Sequence, residues 1–209
     1  DDLYLPLKAK RRTEAMIAIE AGLESLADAL FEDPSQNPEA LASNYIDTEA
    51  RSNGVENSKA ALEGARYILM DKFSEDAALA GKLRSHLWNQ GELRSRVVED
   101  KKSDAAKFSD YFDFSERLNK MPSHRALAVF RGRKEGFLLV EIGSAGVESG
   151  ATDPCEMMIA SHFGIENKGR AADKWLLEVV NWTWKVKLNC RLETDLWGQL
   201  REQSDDEAI

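Results

Sequence analysis

The sequence predicts a mainly α protein, a multi-helix orthogonal bundle with at most a minor two-stranded β element. Three observations carry that expectation. Apolar residues recur at steps of three and four through most of the chain, which places them on one face of a helix. Gly, Pro and Asn break the pattern at intervals, as helix ends and turns do. Only residues 137–142, with Val140 and Ile142, read as a short buried strand, and residues 93–98 are its candidate partner.

In chain order, residues 3–6 form an extended entry and Lys8, Lys10, Arg11 and Arg12 a basic cluster. Thr13 is a cap for a short helix with Met16, Ile17 and Ile19 that Gly22 ends. Leu23, Leu26, Ala27 and Leu30 make the next helical face. Asn37 followed by Pro38 is a helix start, since proline suits the first helical position. A longer helix is expected over residues 55–73 on Ala61, Leu62, Ala65, Ile68, Leu69 and Phe73. Ser74 then caps another, carrying Leu79, Leu83, Leu87 and Trp88, with Gly91 as its stop.

Residues 99–104 read as a loop or helix start, and helical character resumes over residues 105–111. Phe108, Tyr111, Phe112 and Phe114 form an aromatic cluster; Asp110 and Asp113 beside it would repel phosphates, which favours a core role over base stacking. Pro122 and Ser123 open a helix over residues 124–131, buried through Ala126, Leu127 and Phe130 and ended by Gly132. Asp153 and Pro154 start another that runs to His162 and Phe163. Residues 169–202 read as one long helix or two in line, with Trp175, Trp182 and Trp184 in a half that is apolar nearly all round and Leu192, Leu196 and Leu200 in a narrower stripe. The expected division is residues 1–104 and 105–209, with one continuous domain as the alternative.

With 209 residues, 43% apolar and 31% charged, the chain is long enough for a real core and too apolar for disorder. No stretch approaches the roughly 20 apolar residues of a membrane span. The two cysteines, Cys155 and Cys190, lack metal or disulfide spacing and read as buried thiols in a reduced setting; a metal corner of Cys155 and His162 is the weaker alternative. His86 has no recognisable catalytic partner. Residues 143–150, GSAGVESG, lack the Gly-Lys-Ser/Thr of a phosphate loop. No nucleophile–base pair or cofactor motif is present in the sequence, so neither enzymatic activity nor a cofactor is expected.

Charge gives the one candidate site. The chain carries −9, yet Arg117, Lys120, Arg125, Arg131, Arg133 and Lys134 follow one another without an intervening acid. Such a run either contacts phosphates or is the solvated face of a packed helix. A nucleic-acid interface would combine these six with Lys8, Lys10, Arg11 and Arg12, although Asp1, Asp2, Glu14 and Glu20 balance the latter group.

Three stretches also carry a resemblance: residues 3–13 (LYLPLKAKRRT), residues 106–112 (AKFSDYF), and residues 122–128 (PSHRALA) with Arg131-Gly132 and Glu135-Gly136. Together they resemble the bacterial Tex family of transcription accessory proteins, related to eukaryotic Spt-type elongation factors. The resemblance covers nearly the whole chain. It implies helix-turn-helix-like elements in this helical region. It also implies a longer parent with a RuvC-like domain, helix-hairpin-helix elements and a C-terminal OB-type RNA-binding domain. The implied role is a helical scaffold in a cytoplasmic protein that binds RNA or DNA through its full-length form, contacts RNA polymerase, and packs this region on the RuvC-like domain. The absence of an initiator Met agrees with a piece of a longer chain.

Overall fold

A computed structural model describes residues 12–49 and 52–208. The chain divides into two compact units, each made of two segments: Asp1–Asp76 with Ile159–Thr183, and Ala77–Met158 with Trp184–Ile209.

In the first unit, α1 (Glu14–Glu20) starts where the Thr13 hydroxyl accepts the Met16 N–H at 3.2 Å. α2 (Glu24–Glu32) buries Leu26, Ala27 and Leu30. α3 (Pro38–Ala42) is capped by Asn37, whose side chain accepts from Ala40 N at 3.0 Å. The long α4 (Ser58–Ser74) is the centre of the unit, because α1, α2, α3 and α8 (Asp173–Trp182) all pack on it. Its N-cap is Asn57, accepting from Ala60 N at 2.8 Å. Ser74 is not the cap of the following helix but the last residue of α4, its hydroxyl donating to Asp71 O at 3.1 Å.

Gly64 lets α1 approach α4 closely, since a Cβ there would stand 2.4 Å from Leu23 Cδ1 and 3.2 Å from Ala18 Cβ. Phe73 and Phe163 stack at 4.1 Å, with Phe31 edge-on to Phe73 at 5.3 Å. Ahead of α8 the buried Asp173 carboxylate gathers its own turn. It accepts from Lys168 N (2.8 Å), Arg170 N (2.9 Å) and the Arg170 guanidinium, and its pKa is held below the ordinary Asp range by these bonds, the Arg170 side chain first.

The second unit is built on a three-stranded antiparallel sheet in the order β2-β1-β3. α5 (Ala77–Gln90) leads directly into β1 (Gly91–Val97), the central strand. β1 pairs with β2 (Asp113–Arg117) on one side and β3 (Leu138–Ser144) on the other; Ser95 faces both Phe114 and Val140. Two 3₁₀ turns, Glu99–Asp104 and Ala106–Tyr111, connect β1 to β2. α6 (Ser123–Lys134) lies between β2 and β3, and α7 (Pro154–His162) follows β3. A π-helical stretch, Thr183–Leu188, joins α8 to α9 (Asn189–Ala208), which packs on α5 and α6.

The protein is mainly helical, but the expectation of at most a two-stranded β element is overturned by β2. Its sequence DFSER holds one apolar residue. Half-buried Phe114 and Glu116 alternate with exposed Asp113, Ser115 and Arg117. Pairing to β1, rather than intrinsic preference, makes this segment a strand. The expected helix end at Gly132 also shifts. α6 continues to Lys134, and Gly136 supplies the positive φ of +80° beyond it. Gly132 is instead buried inside the helix because a Cβ there would stand 2.4 Å from Leu138 Cδ1.

Candidate functional site

α6 carries the centre of the basic run, and its packing explains what is left for contact. Ala126, Val129, Phe130 and Gly132 face inward. The cations therefore project from the other sides and from the flanking elements. Arg117, at the end of β2, is exposed and reaches Gln90 Oε1 at 3.4 Å. Arg125 pairs with Glu116 of β2 at 3.0 Å, with 44% of its side chain still exposed. Arg133 lies 4.4 Å above the Trp197 ring. Lys120, Arg131 and Lys134 are exposed, and no carboxylate pairs with them among the described residues. Of the N-terminal cluster, Arg12 is exposed and paired with Glu20 in the first unit; Lys8, Lys10 and Arg11 lie outside the described residues.

Acids temper the run. Lys107 takes Glu135 at 3.0 Å, and the Ser123 hydroxyl donates to Glu207, holding that carboxyl below its ordinary range. Burial pushes the Glu193 carboxyl up, opposed by the charge of Arg133. Sequence reasoning missed a stack at this place: Arg133 on Trp197, Trp197 on Phe130 at 4.8 Å, and Arg201 over Phe130 at 5.1 Å. The i, i+4 spacing of Trp197 and Arg201 beside the Leu192–Leu196–Leu200 stripe was its one signal.

Of the remaining chemical candidates, Cys190 is exposed on α9 rather than buried as expected, and the others resolve into packing. Cys155 is buried and its thiol is pushed up to about 12, chiefly by burial, so it is a poor nucleophile and a poor metal ligand. Asp153 Oδ1 accepts from Cys155 N at 2.8 Å and Ser144 Oγ at 2.7 Å, fixing the start of α7. His162 stands at the far end of α7 and bonds Asp76 Oδ2 at 3.2 Å. Among the described residues no three His, Cys, Asp or Glu come together as a metal site, and no helix is long and apolar enough to cross a membrane. Phe108 is buried against Phe137 at 5.9 Å and Tyr111 meets Phe114 at 5.2 Å, so the aromatic cluster packs largely on itself and the core.

A family model described as Tex central region-like matches residues 33–209. Protein YhgF of Escherichia coli is 50% identical over 211 aligned residues, which take in 100% of this chain and 27% of that protein. Protein tex of Bordetella pertussis is 48% identical over 215 residues, again 100% of this chain and 27% of the relative. Transcriptional accessory protein Tex of Neisseria gonorrhoeae is 44% identical with the same coverage. The chain thus spans about a quarter of the length of these relatives. The PSHRALA run that opens α6 and the buried Gly132 behind it are therefore features of a member of the Tex family, to which this chain belongs.

Proposed function

We propose that this chain is the helical scaffold and interaction region of a cytoplasmic transcription accessory protein, without catalytic activity of its own, whose full-length form binds RNA or DNA. The observation that carries the reading is the fate of the basic run. α6 gives one face to the core, Arg125 is taken by Glu116, and Arg133 rests on Trp197. The name of the Neisseria relative supports the transcription role. Packing against a RuvC-like domain and contact with RNA polymerase are the partnerships this reading assigns to the region. Its test is a pull-down of this chain with separately expressed remaining domains of the full-length protein. A stable stoichiometric complex is expected, and the absence of one overturns the scaffold role.

A second reading rests on a specific observation, the exposed Lys120, Arg131 and Lys134 without carboxylate partners among the described residues. Phosphate contacts by such side chains give steeply salt-dependent binding, while the net −9 opposes it at long range. Labelled single- and double-stranded DNA and RNA are titrated at low and moderate salt. Saturable binding that weakens with salt and with Arg131→Ala and Lys134→Ala supports direct binding; no binding at low salt removes it.

A further inference from the structure

The first unit holds a cleft of about 340 Å³ that the basic run does not touch, lined in part by Glu39, Leu62, Glu63, Arg66, Trp175 and Glu178. Trp175 is half-buried, and Trp182, on the same stripe of α8, is 38% exposed. Trp, Tyr and Arg are the side chains that dominate binding energy at protein interfaces. Here Arg66 lies 4.7 Å from the Trp182 ring and 5.3 Å from the Tyr67 ring, with only 18% of its side chain exposed. Its nearest carboxylate, Glu63, is 4.0 Å away and its Nε is buried without a partner. Stacking on Trp182 and Tyr67, with Glu63 at the outer limit of an ion pair, holds this arginine at the wall of the cleft.

We infer that this cleft is a docking site for a polypeptide segment that sets an apolar side chain against Trp175 and Leu62 and lysine or arginine side chains against Glu39, Glu63 and Glu178. Charge chooses this occupant. Three carboxylates line the cleft against Lys59 and Arg66, which disfavours a phosphate backbone and favours a basic peptide. An apolar side chain covering Trp175 removes water from around those pairs and strengthens them. The proposal deepens the interaction reading and rests on it, naming one surface and the chemistry of its occupant.

The test is selection of a displayed random-peptide library on the immobilised 209-residue chain, with Trp175→Ala and Glu178→Lys chains as parallel targets. The selected peptides are expected to pair Lys or Arg with Leu, Phe or Trp. Their affinity is expected to fall about tenfold or more on each variant, the usual loss at an interface anchor. Circular dichroism and thermal melting of both variants separate lost binding from lost folding; Glu178 is exposed, and its change is expected to leave the fold intact. No enrichment overturns the proposal, as do acidic peptides, or peptides held equally by the folded Glu178→Lys chain. A complex in the domain pull-down alongside a failed selection leaves the scaffold reading and removes the cleft.

Discussion

α4 and α6 use the same packing device in the two units and carry different charges on their outer faces. Each helix sets a glycine against a leucine from a neighbouring segment: half-buried Gly64 against Leu23, buried Gly132 against Leu138. Each also carries an arginine laid on a tryptophan of the C-terminal third, Arg66 on Trp182 and Arg133 on Trp197. Around Arg66 stand Glu39, Glu63 and Glu178; Arg133 shares its helix with the exposed Arg131 and Lys134, while its charge also acts on the Glu193 carboxyl. The difference teaches that close helix packing and surface charge are separable. The glycine–leucine contact sets how near the elements come. The side chains on the outer faces decide what each surface repels and attracts.

The largest expected effect breaks the α6 contact. Leu138→Ala should destabilise the chain by about 2–5 kcal/mol, and Gly132→Val by about 1–3 kcal/mol through overpacking. Combining Leu138→Ala with Gly132→Ala should cost less than the sum of the single changes, because the new methyl enters the space Leu138 leaves. Urea unfolding measures all of them. Additive losses would show that Gly132 and Leu138 do not share the space, and the likeness between the two helices would fail.

Next comes pH, which acts on the first unit through Asp173. Its folded pKa is depressed, so its contribution is fully present above the ordinary Asp value of about 3.9 and is lost as the pH falls below it. Asp173→Asn should lower the melting temperature at neutral pH and flatten its fall on acidification. An unchanged acid profile in the variant would assign that fall to other carboxylates.

The two stacked arginines give a smaller contrast. Removing Arg66 should cost about 1–2 kcal/mol and removing Arg133 about 0.5–1 kcal/mol, since a cation on an aromatic ring gains more when shielded from water. Equal losses would erase the distinction between the two settings. Smallest is the Arg125–Glu116 pair, 44% and 21% exposed, where a double-mutant cycle should give a coupling of about 0.2–1 kcal/mol that falls with salt.

Much of the helical framework was legible because its signals are local. Thr13 and Asn37 cap the helices their positions suggest, and the three-and-four spacing marks α2, α4, α5 and α6. Gly132 shows the limit. A glycine inside an apolar pattern reads as a stop until the leucine that needs its missing methyl is known. The candidate site was legible as charge but not as availability. Arg125 is tied by Glu116, a residue on the strand that its polar sequence concealed, and Arg133 is held by Trp197 of α9. Lys120, Arg131 and Lys134 could not be told apart from them by sequence position.

The sequence by itself determined the helix-rich character, several helix starts, the separation of basic and acidic stretches, and the family, because composition, periodicity and short motifs are properties of neighbours along the chain. Tertiary structure alone decided that β2 is a strand, that Gly64 and Gly132 are contact points, which cations keep a free face, and that Arg66, Trp175 and three glutamates share a cleft. Those outcomes depend on where side chains from distant segments point once helices pack and strands pair. Spacing along the chain does not carry that direction.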